Sequence, residues 1–392
     1  MNIYLDNAAT TNIDPKVVEA MNKSYQFFGN PSSLHTFGQE ARKLVDQSRD
    51  TVAEFLNCKP TEVIFTSGGS ESDNLAIRGI VNSIQITDNS IKPHVITSAI
   101  EHHAVLHTVQ DLEKAGKIEA TYVKPNEKGI IQVSDVEAAI KPNTVLVSIM
   151  YVNNEVGTVQ PIREIGKIIE KENKDRKVRI YFHTDAVQAA EFFNMDTKYL
   201  HVDLLTLTAH KFHGPKGIGV LFIKKGTPIE PQIIGGDHEF RFRAGTENVS
   251  SIVGLKTVIE LVEGRRKKVE GIKKLRDKLE DWILKNILET YLNGDKENRS
   301  PVISNISFKN AEGEAIILNL DFMGIAVSSG SACTARSLDP SHVLMAMNTP
   351  RELSHGAIRF SLSRETTEEE IDRVIEVLPG IIKKLREMSP FG

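Results

Sequence analysis

Cysteine is nearly absent from this chain of 392 residues: it occurs only at Cys58 and Cys333. Two cysteines so far apart cannot build a disulfide framework for a protein of this size, so a reducing, cytoplasmic setting is expected. An excess of charge is also lacking. Lys and Arg total 48 against 52 Asp and Glu, a net charge of −4, which argues against direct nucleic-acid binding through displaced phosphate counterions. The N-terminal MNIYLDNAATT has no basic stretch followed by an apolar core, as a secretory signal would have. No apolar run approaches the roughly 18 residues of a membrane span. HExxH, GKS or GKT, and GxGxxG are all missing, so zinc-protease, nucleotide-phosphate and dinucleotide signatures are unsupported and no metal is expected. The expectation is a soluble protein acting on a small ligand.

What is present is a long alternation of strand and helix patterns. Helices are predicted from Asp14-Pro15 and over about Leu34 to Leu56, the latter with Phe37, Ala41, Leu44, Val45 and Val52 at helical spacing. An apolar strand, Val63 to Phe65, runs into Thr66-Ser67-Gly68-Gly69-Ser70 and a helix from Glu71, with Ser70 and Asp73 reading as its N-terminal cap. Strands at His94–Thr97, Thr121–Val123, Val145–Met150, Ile180–His183 and Val202–Leu207 alternate with helices at Val105–Lys114, Val133–Ile140 and Ile162–Glu172. That order predicts an α/β fold: a mostly parallel sheet covered by helices. A long amphipathic helix is expected from about Ser250 through the charged run to Asp281. Beyond it a second pattern follows, with strands at Val302–Phe308, Ile325–Ser328 and Ala357–Leu362 and helices at Gly313–Met323, Ser341–Met347 and Thr367–Leu385; Leu292–Ser300 reads as a surface connection. The expected division is a large domain, 12–260, and a smaller α+β domain of 1–11 and 261–392.

Chemistry concentrates at strand ends. Glu101-His102-His103, Asn153-Asn154-Glu155, His183 to Gln188 and Ala209-His210-Lys211 each follow a predicted strand, and in open α/β sheets the carboxyl edge is where ligands bind. Lys211 is either a surface charge or a Schiff-base nucleophile activated by desolvation. Pyridoxal phosphate would need a phosphate cradle, an acid facing the pyridine nitrogen and a group packing on the ring. Gly69-Ser70, Asp185 and His102 are candidates for these, although the Gly-rich turn is equally readable as a plain connection. Arg359, within a predicted strand, is a carboxylate clamp or half of an internal salt bridge. Cys333 stands in SSGSACTARS, where a thiol has little to pack against, so a nucleophilic or redox role is favoured. Cys58, after Phe55 and Leu56 at a helix end, reads as structural.

Taken together, YLDNAATT, GNPSSLH, FTSGGSESDNLAIRG, EHHAVL, NNEVGTVQPI, HTDAVQ, AHKFHGPKGIG, RAGTEN, SSGSACTA and AIRFSLSR resemble the cysteine desulfurases of the NifS/IscS type, pyridoxal-phosphate enzymes of fold type I in the aminotransferase class V group. The resemblance runs from Asn2 to about Glu370. It implies an aspartate-aminotransferase-like fold and pyridoxal 5'-phosphate bound through Lys211, with His102 on its ring, Asp185 at the pyridine nitrogen and Gln188 at the phenolic oxygen. Gly69, Ser70, Thr208 and His210 would contact the phosphate, as would Thr246 from the partner subunit of a homodimer. Asn154 would orient cofactor or substrate, and Arg359 would bind the substrate carboxylate. His102 would also serve as acid or base. Cys333, in the loop 328–337, would take sulfur from L-cysteine as a persulfide and pass it to an iron–sulfur scaffold or sulfur-carrier protein. The alternative activity is a pyridoxal-phosphate lyase or transaminase that does not use the thiol, such as a selenocysteine lyase; a non-catalytic regulatory dimer is the reading outside enzymes. Asp237 and Phe240-Arg241 depart from the family pattern, which has glycine at the first place and Arg-Gly at the others.

Overall fold

The computed structural model describes residues 2–84, 92–266, 269–329 and 340–388. The chain opens with β1 (Ile3–Tyr4), α1 (Pro15–Ser24) and α2 (Thr36–Phe55). Pro15 sits in the first turn of α1, and the Asp14 carboxylate caps it by accepting the Lys16 N–H at 2.8 Å. The alternation continues as β2 (Val63–Thr66), α3 (Gly69–Ser83), β3 (His94–Ser98), α4 (His103–Lys114), β4 (Glu119–Val123), α5 (Val133–Ala138), β5 (Thr144–Ser148), α6 (Ile162–Glu172) and β6 (Tyr181–Asp185). It closes with α7 (Thr197–Leu200), β7 (Leu204–Thr208), β8 (Gly219–Ile223) and α8 (Val249–Arg266).

These strands form one sheet in the order β2-β8-β7-β6-β5-β3-β4, parallel throughout except for β8, which runs antiparallel to both neighbours. Every residue of β2, β3, β5, β7 and β8 is buried, as a sheet covered on both faces requires. Alternate residues supply the two faces. Val63, Phe65, Val220 and Phe222 face a cluster built with α1, α2, α6 and α8, while Ile64, Leu221 and Ile223 face one built with α3 and α4.

A third cluster belongs to the remainder: α9 (Val269–Asn286), β9 (Thr290–Asn293), β10 (Ile303–Phe308), α10 (Gly313–Phe322), β11 (Ile325–Ala326), α11 (His342–Ala346), α12 (Arg351–His355), β12 (Ala357–Ser361) and α13 (Glu368–Met388). Here β12-β10-β9 form an antiparallel sheet, β1 pairs with β11, and Ile3 and Leu5 join the same core. Of the expected long helix the described parts are α8, which packs in the first cluster, and α9, which packs in the third. Leu292–Ser300 is not wholly a surface connection, since β9 pairs with β10 through Asn293 and Leu292. Its four residues at a sheet edge carry too little apolar pattern to be read from sequence. Among the described residues no helix is long and apolar enough to cross a membrane.

Candidate active site

A cavity of about 330 Å³ opens where β5, β6 and β7 end and α3 and α4 begin. Each of these parallel strands gives way to polar residues at its carboxyl end, and their side chains converge on the cavity. Asn154 lies beyond β5, Asp185 and Gln188 at and after β6, Thr208, His210 and Lys211 at and after the end of β7, and His102 after β3. Gly69 and Ser70 line it from the first turn of α3, and Arg359 reaches it from β12. All these sequence-derived candidates therefore share one pocket. Thr246 does not line it and is exposed on this chain. Cys333 and the other residues of 330–339 lie outside the described residues.

The turn before α3 differs from the expectation. The helix begins at Gly69, its N-cap is Gly68, and no side chain caps it. Ser70 is inside the first turn and Asp73 points inward, 1% exposed. The first N–H groups thus stay available to an anion, with the helix dipole adding positive potential. Beneath the turn, a Cβ on Gly219 would come within 2.7 Å of the Gly68 backbone, so β8 can lie this close only with glycine there.

Lys211 Nζ donates to the carbonyls of Ala8 at 2.7 Å and Ala9 at 2.8 Å, and Gln188 Nε2 also donates to Ala8 O at 2.9 Å. The N-terminal segment is thereby drawn across the site. Asp185 accepts the Val187 N–H at 2.9 Å. Burial pushes its carboxyl up to about 6, while that hydrogen bond and the nearby Lys211 ammonium pull it down. His102 caps α4, its Nδ1 accepting the Ala104 N–H at 3.1 Å, and burial with neighbouring cations holds it down to about 4. Thr208 Oγ1 donates to Ile218 O at 2.9 Å, and His210 Nδ1 lies 3.2 Å from Thr10 Oγ1.

Arg359 Nη1 donates to Asn154 O and Nη2 to Asp6 Oδ1, each at 2.7 Å. Its backbone also pairs with Ser328, Arg359 N donating to Ser328 O at 2.7 Å. On the far side of 330–339, Ser341 Oγ donates to Glu155 Oε2 at 2.5 Å, and His342 Nε2 lies 2.9 Å from Glu101 O. Glu155, His342 and Arg359 all line the cavity.

Three pocket-side acids escaped the sequence reading in this role. Asp73 reads as a cap, and Glu101 and Glu155 as strand-end polarity; only their complete burial marks them. Glu101 Oε1 accepts from Ser98 Oγ at 2.5 Å and Met150 N at 3.0 Å, Oε2 has no partner among the described residues, and burial pushes its carboxyl up to about 8.

The segment that departs from the family pattern is backbone-strained. Glu239, Phe240 and Arg241 have φ of 45°, 56° and 72°, a left-handed run that favours glycine. Asp237, at φ −76°, is ordinary. Glu239 holds the run in place: it pairs bidentately with Arg49 at 2.7 and 2.8 Å and accepts the Phe65 N–H at 2.8 Å.

Fold and pocket define an α/β enzyme whose site lies at the carboxyl edge of a parallel sheet, with a lysine, a buried acid and a helix N-terminus turned into it. The chain belongs to the aminotransferase class-V family, whose family model matches residues 3–374; pyridoxal phosphate is a general property of that family. The chain is 46% identical over 391 residues to a "Cysteine desulfurase IscS" of Dictyoglomus turgidum, covering 99% of this chain and 96% of that protein. It is likewise 46% identical over 390 residues to one of Methanosarcina thermophila, covering 99% and 94%. Among solved structures it is similar to a "NIFS-like protein" (TM-score 0.87, 36% identity, 99% of both chains). It is also similar to "SspA in complex with cysteine" (TM-score 0.79, 35% identity, 92% of this chain and 98% of that one).

Proposed function

We propose that this chain is a pyridoxal-phosphate-dependent cysteine desulfurase that converts L-cysteine to L-alanine and leaves a persulfide on Cys333. The observation that carries the reading is that both ends of the segment bearing Cys333 are fastened to the rim of the lysine pocket, Ser328 to Arg359 and Ser341 and His342 to Glu155 and Glu101. Cys333 is five residues beyond Ser328, a reach of up to ~17 Å.

The donor set fits the cofactor. Lys211 supplies the amine for covalent attachment, Gly69 and Ser70 with Thr208 and His210 supply phosphate donors, and Asp185 supplies the acid for the ring nitrogen. His102 would pack on the ring and Gln188 would reach the phenolic oxygen. When bound, pyridoxal phosphate supplies an electron sink that weakens bonds at the substrate's Cα and Cβ. Arg359 and Asn154 hold the substrate carboxylate and orient the substrate amine toward Lys211. Lys211 and His102 move protons at Cα and at the substrate nitrogen; His102, held neutral, can accept one. The Cys333 thiolate attacks the substrate sulfur. An S–S bond forms as the C–S bond breaks, its electron pair stays with carbon, and protonation gives alanine.

Thr246, exposed on this chain, is assigned to the phosphate of a second subunit, so the enzyme works as a homodimer. The persulfide passes to an iron–sulfur scaffold or sulfur-carrier protein in the cytoplasm. The test is alanine formation from L-cysteine by the cofactor-loaded protein and by Cys333→Ser. A variant with the normal visible absorbance band and no alanine is expected. Retained turnover would point instead to a lyase or transaminase that does not use the thiol.

A further inference from the structure

The edge of the pocket carries a group of histidines that the chemistry above does not use. His103 and His107 stand four residues apart on α4, so their side chains leave one face of that helix a turn apart. His342 opens α11 beside them. The His103 ring is stacked on His107 with centroids 4.4 Å apart, and it lies 4.7 Å from His342. His103 and His342 line the cavity, whereas His107 is exposed, so the three run from the cavity wall to solvent.

Rings in such contact present lone pairs more readily than protons. Burial, with His342 and His107 close by, holds His103 down to about 4, so at neutral pH it is uncharged. Neither the His103 nor the His107 imidazole hydrogen-bonds to another of the described residues. His342 donates from Nε2 to the Glu101 carbonyl at 2.9 Å, which leaves the lone pair of its neutral ring on Nδ1. Three imidazoles with a lone pair each are the donor set of a borderline divalent cation such as Zn²⁺. In a tetrahedral three-histidine site, Zn–N bonds of about 2 Å put the ring centroids about 5 Å apart, close to the two spacings found here. The stacked rings have to turn until their nitrogens converge, and the exposed His107 has room to do so. Ala104 stands where HExxH has glutamate, so a cation here would lack that general base.

We propose that His103, His107 and His342 form a binding site for a borderline divalent transition metal of the Zn²⁺ type, with water in the fourth position. A cation there joins α4 to α11, the helix that follows 330–339, beside the cavity. It also brings positive charge toward His102, whose ring is 6.2 Å from that of His103, and makes His102 harder to protonate. The site stands on these three side chains and not on the reading of the pocket's chemistry.

The test is titration of Co²⁺, a coloured stand-in for Zn²⁺, into untagged, cofactor-loaded Cys333→Ser protein. The substitution removes the thiol as a competing ligand. The cofactor-loaded form is used because Asp73, Asp185 and His102 have ligand atoms within 4.8 Å of one another and offer a cation a second place in the cofactor-free pocket. Expected is a d–d band that saturates at one Co²⁺ per chain, comes without a thiolate charge-transfer band and is bleached by Zn²⁺. His103→Asn, His107→Asn and His342→Asn should each weaken binding by ~10²-fold or more, because loss of a partner one shell further out already costs ~10–100-fold. No saturable binding, or binding left unchanged by any one of the three substitutions, would overturn the site. Thermal unfolding gives a second reading at the exposed position, where substitution spares the fold: Zn²⁺ should raise the midpoint of the parent protein and not that of His107→Asn. An equal rise in both would refute the proposal. Should no cofactor load, the pocket reading fails, and the same three substitutions in the cofactor-free protein still decide the histidine site.

Discussion

Lys211 and Arg359 approach the same cavity from opposite parts of the sequence, and each is already engaged by backbone carbonyls or an acid in ways a ligand would replace. Lys211→Ala should abolish the visible band of bound cofactor and lower turnover by ~10²-fold or more, since it removes both the anchor and a proton-transfer group. Arg359→Lys keeps the charge but loses the planar fork, so KM for L-cysteine should rise about tenfold with less effect on kcat; an unchanged KM would remove Arg359 from the carboxylate site. Glu101 gives a stability prediction. Its carboxyl is raised from 4.5 to about 8 in the fold, so between those values the folded state binds more protons than the unfolded one. The stability this contributes is full below pH 4.5 and is lost as pH rises through 8. Thermal unfolding should accordingly show Glu101→Gln gaining on wild type from pH 4.5 to 8 and levelling off above. The lysine, Asp185 and His102 were legible in sequence because they terminate apolar strands at the carboxyl edge. Asp73 was not, because an acid three residues into a helix reads as a cap until its burial is known.

The start of α3 follows β2, and the turn at 239–241 is tied to β2 through Glu239 and the Phe65 N–H. The first turn of α3 was legible as strand, glycine turn and helix, but neither its start at Gly69 nor its lack of a side-chain cap was, because Ser70 offers a capping hydroxyl that the fold leaves unused. The left-handed run at Glu239, Phe240 and Arg241 was legible only as a departure from a family pattern that keeps glycine at the Arg241 position. The Arg241 side chain does little to offset its backbone, since its ion pair with Asp237 at 3.1 Å is largely exposed. Arg241→Gly should raise unfolding free energy by about 1 kcal/mol in urea titrations. A loss of stability would mean the side chain matters more than the φ it is forced to adopt.

The large sheet and the β12-β10-β9 sheet both send residues to one pocket, and Ser328 and Ser341, on either side of 330–339, are tied to Arg359 and Glu155 in its lining. The alternation of strands and helices announced the large sheet, and the helical periodicity from Ser250 to Asp281 hid that α8 and α9 pack in different clusters. The proposed homodimer would add a third participant. Phe28, Leu34 and Ile234 are 78%, 92% and 86% exposed, and Arg42, on the helix that comes after the first two, reaches within 3.9 Å of Glu247, next to Thr246. That apolar surface beside Thr246 fits a contact with a second copy. Leu34→Asp should shift sedimentation toward the monomer and loosen cofactor retention together; a stable dimer with normal retention would contradict the subunit assignment. The central claim is that Cys333 takes sulfur at the Lys211 site. Its most direct measurement is a single turnover of the cofactor-loaded enzyme with sulfur-labelled L-cysteine, followed by mass spectrometry of trapped peptides. The predicted result is one labelled sulfur on Cys333 for each alanine released. Alanine released with label in solution and none on Cys333 would contradict it.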